Sequence, residues 1–227
     1  MEKLIYWKKI PLINNILNLI LKYNREKIHK LFLKYTNYNK NLNLLDVGTT
    51  SIIDENHNLI LYKTRDNENI SCFSNQDLEE IKKKFINIKN TYKGDGKKMQ
   101  LDDNTFNIVY SSATIEHIGS FENQVNFLKE CCRVSNDIIF ITTPNRYYPI
   151  DFHTKIPLLH WLPKKIHRKL LKFLKMDFYS NEENLNLLSK KDILKILNIL
   201  NIKNYKILKN RFLFFTANLI LVIKKNT

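Results

Sequence analysis

All four glycines of this chain, Gly48, Gly94, Gly96 and Gly119, fall between positions 48 and 119. A chain so sparing with glycine keeps it where the backbone needs it. The first closes NLLDVGTTSIID, Asn43 to Asp54, in which Leu44 to Val47 read as a short buried strand followed by a turn of small hydroxyl residues. An acid at the carboxyl end of a parallel strand, here Asp46, is where an open α/β sheet meets a nucleotide-like ligand. Gly48 allows the backbone to approach that ligand without an intervening Cβ. These residues predict an α/β fold with a binding cleft above the strand ends.

The rest of the middle region follows the same plan. Residues 54–64 predict a helix that buries Leu59, Ile60 and Leu61, and Ile70 to Phe73 a second strand. Asp77 opens DLEEIKKKF. As a carboxylate after strand two it can accept from ribose hydroxyls, and with Glu80 it also fits a capping box. A third strand near Ile88 to Tyr92 runs into Gly94-Asp95-Gly96, where an acid between glycines can reach a base-edge amino group or simply form a tight turn. Phe106 to Tyr110 is strand four, followed by Ser111-Ser112-Ala113 and then Glu116-His117. A helix over Glu122 to Arg133 leads to strand five, Asp137 to Thr142, an apolar run suited to a parallel sheet buried on both faces.

Beyond strand five the composition changes. Four of the five prolines lie between 144 and 163, together with Tyr147, Tyr148, Phe152, His153, His160 and Trp161. Proline-stiffened aromatic loops at this end of an α/β sheet bind ligands, which makes Tyr147, His153 and Trp161 the candidate substrate contacts. LPKKIHRKLLKFLKM then reads as a basic amphipathic helix with Ile166, Leu170 and Leu174 on its apolar face. It fits either a solvated lid or a contact with an anionic membrane. Ser189 can cap a helix to about Leu200, and residues 203–212 and 214–224 read as a hairpin. At the other end, residues 4–23 and 25–35 predict two helices that meet at Asn24, the first broken or started at Pro11 and the second with Ile28, Leu31 and Phe32 on one face. They pack on the sheet edge or dock on a membrane surface.

Charge divides along the same boundaries. The net +15 comprises +7 over residues 1–40, −4 over 41–151 and +12 over 152–227. Basicity therefore belongs to the flanks. No run approaches the roughly 18 apolar residues of a spanning helix, and the amino-terminal stretch lacks the apolar core of a secretory signal. The three cysteines offer neither a disulfide framework nor metal-ligand spacing, so no metal is expected and the cytoplasm is the expected compartment, with peripheral contact at the inner membrane surface.

Four stretches, LLDVG (Leu44 to Gly48), GDG (Gly94 to Gly96), LDDNTFNIVYSSATIEHI (Leu101 to Ile118) and IIFITTPN (Ile138 to Asn145), together resemble the class I S-adenosylmethionine-dependent methyltransferases, in a bacterial methyltransferase-domain branch. The resemblance covers roughly residues 41–143 plus the terminal hairpin. It implies a three-layer Rossmann-like sandwich on a seven-stranded, mostly parallel sheet with an antiparallel last strand. It also implies S-adenosylmethionine as cofactor, with Asp46 and Gly48 toward its methionine end, Asp77 or Gln76 at the ribose, Asp95 with Gly96 at the adenine, and Ser111 with its neighbours along the methionine moiety. Thr50 stands where the family carries a second glycine, which narrows the backbone approach, although its hydroxyl can donate a hydrogen bond.

The expected organisation is one domain: amino-terminal helices over 1–40, a cofactor core over 41–143, a substrate or lid insertion over 144–188, and a helix with hairpin over 189–227. The expected reaction is methyl transfer to a small-molecule, lipid or glycan acceptor, with His117 and His153 as candidate bases. A silent binding protein on the same fold is the alternative, as is an RNA methyltransferase favoured by the basic flanks. The latter would carry an Asn-Pro-Pro-aromatic or Asp-Pro-Pro-aromatic tetrad after strand four, and Ser111-Ser112-Ala113-Thr114 stands there instead. No nucleic-acid partner is expected to be obligatory.

Overall fold

The computed structural model describes the backbone of residues 11–212 and 214–225, and side chains from residue 21 onward. Seven strands form one sheet: β1 (Leu44–Val47), β2 (Ile70–Ser74), β3 (Ile88–Lys93), β4 (Phe106–Ser112), β5 (Ser135–Pro144), β6 (Tyr205–Phe212) and β7 (Phe215–Lys224). Their order is β3-β2-β1-β4-β5-β7-β6. The first five run parallel, and β7 enters antiparallel between β5 and β6. This is the expected mostly parallel α/β sheet, with its chain reversal beside central β1, where open sheets leave a crevice.

Strict alternation along the central strands builds two cores. Leu45, Val47, Val109, Ile139 and Ile141 face one layer, with Phe127, Leu128 and Cys131 of α4 (Phe121–Val134) and Ile193, Ile196 and Leu197 of α7 (Lys190–Ile199). Leu44, Ile108, Tyr110, Ile138 and Phe140 face the other. There they meet α1 (Pro11–Thr36), α2 (Leu59–Lys63) and α3 (Glu79–Lys84). Ser120 caps α4, and Ser189 with Asp192 forms the capping box that starts α7.

Several expected elements change shape. The predicted break between two amino-terminal helices is absent from Pro11 onward, because α1 is one helix of 26 residues. Asn24, a poor helix former, is buried in mid-helix and accepts from the Asn210 side chain of β6. The helix lies over the face of the sheet and not at its edge. Phe32 is fully buried, edge-on to Tyr110 of β4 and Phe140 of β5 at centroid distances of 5.4 Å each. The helix expected over 4–10 and the apolar set Leu12, Ile13, Ile16, Leu17 and Ile20 lie outside the described residues or side chains. The 54–64 helix contracts to α2, since Asp54 accepts from the backbone of Asn56 and His57 in a turn.

The basic helix forms as α5 (Lys164–Phe173), rotated from its expected setting. His167 and Leu171 are buried, while Ile166 is 48% exposed. Two cations decide this rotation. Lys164 donates to Asn186 Oδ1 at 2.6 Å, and Arg168 pairs with Glu182 at 2.8 Å, so the Lys164–His167–Arg168–Leu171 stripe faces the protein. A short α6 (Asp177–Ser180) follows. Among the described residues, no helix is long and apolar enough to cross a membrane.

Phe32 is the main anchor of α1 on the sheet. Phe32→Ala removes a fully buried ring, and a loss of about 3–5 kcal/mol is expected from such truncations, read as a lower urea midpoint with unchanged slope.

Candidate active site

A cleft of about 1050 Å³ opens at the carboxyl ends of β1 to β4. Its back wall is the turn after β1. Gly48 has φ +91°, and a Cβ there would collide with the Thr114 side chain. The turn is pinned from both sides: Gly48 N–H donates to Phe73 O at 2.8 Å, and Ser111 Oγ–H donates to Val47 O at 2.8 Å. Thr50, in the place of a second glycine, is not among the residues with positive φ. The loop therefore accepts a side chain at that position without backbone strain. Asn58 Nδ2 holds it by donating to Thr50 O and Ile52 O, at 3.1 and 2.7 Å.

Asp46 lines this wall and is buried. Burial raises its pKa to about 6, against the opposing hydrogen bond from Thr49 Oγ–H at 2.7 Å. Among the described residues, the Thr49 hydroxyl is the side chain hydrogen-bonded to this carboxylate. Arg25 from α1 also reaches the cleft. Nothing in the local sequence marks it, since α1 crosses the sheet only in the folded protein.

Strands β2 and β3 supply the next wall. Gln76 Oε1 accepts from both the N–H and the hydroxyl of Ser51, each at 2.9 Å, tying the β2 loop to the β1 loop. Asp77 does not line the cleft. Its carboxylate accepts from Glu79 N–H at 2.8 Å, and no capping box forms because the helix starts later, with Leu78 at its cap. Of these two neighbours, Gln76 is the one that lines the cleft. Gly94, Asp95 and Gly96 all line the cleft. A Cβ on Gly94 would stand 3.0 Å from the Phe73 ring, and one on Gly96 3.1 Å from the Phe127 ring. Asp95 accepts from Lys97 N–H at 2.9 Å and pairs with its ammonium at 3.0 Å. It is therefore both a turn residue and a cleft residue.

The far end of the cleft is built by a 3₁₀ turn, Ile115–His117, and by the loop after β5. His117 Nδ1 lies 2.6 Å from Asn184 O, and a carbonyl accepts only, so Nδ1 carries the proton. His153 Nδ1 lies 3.2 Å from Asp151 Oδ1. Burial pushes the Asp151 pKa up, but the hydrogen bond and charge of His153 and the Thr154 hydroxyl outweigh it and hold the carboxylate well below its usual range. Asp151 is thus an acceptor, and His153 Nδ1 also carries a proton. Burial would lower the His153 pKa, yet Asp151 and Glu116 together keep it raised. The two Nε2 atoms face each other at 3.1 Å. Beneath them, Glu116 is fully buried, with Oε2 accepting from Thr143 Oγ–H at 2.9 Å and Oε1 unpartnered.

His117 and His153, 36 positions apart, are thus brought together. Three other expected contacts are placed elsewhere. Ser111 is fully buried with its hydroxyl on Val47 O, and its neighbours Ser112, Ala113 and Thr114 line the cleft. Tyr147 and Trp161 do not line it either. The excursion folds back on itself through the Ile150–Pro157 bridge, and Trp161 Nε1–H donates to Tyr148 O on its outer side. Tyr179 and Asn184, from the segment after α5, line the cleft beside His117 and His153 instead. No motif marked them; the acids and asparagines of 181–184 were the available signal.

With this geometry in view, residues 68–137 match the family model described as a methyltransferase domain. The fold is shared with an S-adenosylmethionine-dependent methyltransferase from Archaeoglobus fulgidus, with TM-score 0.57, 16% identity and coverage of 92% of this chain and 94% of the other. A second such enzyme, from Aquifex aeolicus, matches with TM-score 0.55 and 14% identity over 87% and 88%. Magnesium protoporphyrin IX methyltransferase from Synechocystis PCC 6803, solved with bound S-adenosylhomocysteine, matches with TM-score 0.59 and 12% identity over 95% and 88%. No curated protein matches this sequence.

Asp46 makes stability depend on pH with a defined sign. Its folded pKa is raised from 3.8 to about 6, so the neutral form is favoured on folding. Stability from this group is present below pH 4 and lost as pH rises through 6. Asp46→Asn should be more stable than the parent at pH 7.5 by up to about 3 kcal/mol, with the difference closing toward pH 4. Parallel denaturant titrations at the two pH values measure it.

Proposed function

We propose, on the premise that this chain is a class I methyltransferase by fold and by its matched segment, that it transfers a methyl group from S-adenosylmethionine to a small-molecule, lipid or glycan acceptor. The observation that carries this reading is the continuity of one cleft from Asp46–Gly48 past Gln76 and Asp95–Gly96 to His117 and His153. The first groups suit the amino-acid, ribose and adenine parts of the cofactor. The buried, unpaired Asp46 carboxylate suits the ammonium of the methionine moiety, whose charge offsets the burial that raises its pKa.

The reaction is an in-line displacement. The acceptor's lone pair forms the new bond to the methyl carbon while the carbon–sulfur bond breaks and its electrons stay on sulfur. A sulfonium becomes a neutral thioether, and the acceptor's proton leaves to a base. Alignment in a walled cleft supplies much of the rate. His117 and His153 present their Nε2 atoms at the acceptor end, where that proton departs.

An acceptor of lipid type is favoured by the outer face of α5 and the turn before it. Trp161, Ile166 and Phe173 are 41%, 48% and 83% exposed, and Lys165, Lys169, Lys172 and Lys175 stand exposed among them. Lys164 and Arg168 are held by Asn186 and Glu182 and do not belong to this face. Each lysine near an anionic leaflet contributes about 1 kcal/mol, enough for reversible peripheral contact.

Calorimetric titration with S-adenosylhomocysteine tests the cofactor assignment. Saturable heat is expected, and Asp95→Ala should weaken binding by about 1.5–3 kcal/mol; no heat and no thermal shift would remove the reading. Co-sedimentation tests the surface contact. Pelleting with anionic vesicles should fade at high salt and fall when the four exposed lysines are neutralised, and equal pelleting with neutral vesicles counts against it.

A further inference from the structure

His117 and His153 each commit Nδ1 as a donor, to Asn184 O and to the Asp151 carboxylate, and this turns their two Nε2 atoms toward each other at 3.1 Å at the end of the cleft. The third group at the same point is the carboxylate of Glu116, fully buried, with Oε1 lacking any partner and 3.9 Å from His153 Nε2. We propose that Glu116, His117 and His153 form a binding site for one divalent transition-metal cation at the acceptor end of the cleft.

The ligand atoms of the three residues all lie within 4.8 Å of one another. At a metal–nitrogen distance of about 2.1 Å, two nitrogens at a right angle stand about 3.0 Å apart, close to the separation of the two Nε2 atoms. The Glu116 carboxylate oxygen Oε1 stands 3.9 Å from His153 Nε2. The surrounding groups complete the pattern of a metal centre. A ligating histidine donates its other ring N–H to a carboxylate or a backbone carbonyl, and a ligating carboxylate is itself hydrogen-bonded. Asp151 holds His153, Asn184 O holds His117, and Thr143 holds Glu116. Two imidazoles with one carboxylate favour zinc, cobalt, nickel, iron or manganese over magnesium and calcium, which prefer oxygen.

His117 and His153 line the cleft, so an ion held by them would be open to a molecule bound there. Its use there rests on the methyl-transfer reading, whereas its binding does not. A hydroxyl oxygen of the acceptor bound to the cation is acidified. Its O–H bond breaks with the proton passing to solvent, and the freed lone pair takes the methyl as the carbon–sulfur electrons go to sulfur. The two histidines then hold the ion and need not act as bases.

Titration of the purified, chelator-treated full chain with Co²⁺ reads the site directly through its visible absorption. One saturating equivalent is expected. Asp151→Asn, which touches the ring and not the ion, should lower affinity by roughly 10–100-fold, and His117→Ala or His153→Ala by at least as much. His57→Ala, which disrupts a separate histidine–carboxylate pair with Asp54, should leave the titration unchanged. Thermal melts establish that each variant folds. No saturable band at one equivalent, a band that survives either of the two histidine substitutions, or equal loss in His57→Ala overturns the proposal. S-adenosylhomocysteine titration of the same samples separates the two readings: loss of cofactor heat with a retained cobalt band would sink methyl transfer and leave the metal site standing.

Discussion

The carbonyl of Val47 is where the strands, the turn and the loop after β4 meet. It accepts from Ser111 Oγ–H at 2.8 Å and from Thr114 Oγ–H at 3.3 Å, so the end of β1 and the loop after β4 are tied at one atom. The next residue, Gly48, must turn at positive φ against Thr114. No side chain fits in that space. The cleft therefore has a fixed corner from which one wall runs toward Gln76 and Asp95 and the other toward His117. Burial of β1 on both faces keeps this corner from moving, because any shift would disturb two cores at once.

The histidine end of the cleft is assembled differently. A fully buried carboxylate is costly unless it is paired, and Glu116 keeps one oxygen without a partner. Its position is set by an extended polar network in place of apolar packing. Asn186 N–H donates to Glu116 O, Gln124 Nε2 donates to Asn186 O and Ile115 O, and Lys164 donates to Asn186 Oδ1. Helices α4 and α5 thereby hold the turn that carries Glu116 and His117. This network also explains the setting of α5, whose inner cations serve the site and whose outer lysines and apolar side chains face solvent.

The sequence by itself determined what local chemistry and strand periodicity encode. Short apolar runs in LLDVG, NIVYSS and IIFITT were enough for an α/β sheet buried on both faces, and the terminal apolar runs for its hairpin. Asp46, Gly48 and Asp95 were legible because a strand end, an acid and a glycine within a few residues carry their own geometry. Tertiary structure decided the rest. Ser111 is buried with its hydroxyl on Val47 O, although it adjoins Ser112, which lines the cleft. The α5 pattern predicted Ile166, Leu170 and Leu174 as the buried face, whereas the folded chain, with Lys164 and Arg168 tied to Asn186 and Glu182, buries His167 and Leu171. Asn24 looked like a helix boundary, yet contact with Asn210 from β6 holds it inside one helix. The meeting of Glu116, His117 and His153, with Asp151, Thr143 and Asn184 behind them, joins residues spread over nearly 70 positions. Residue types along a chain show which groups can bind or catalyse, but the distances between them exist only once loops from separate strands close over the same end of the sheet.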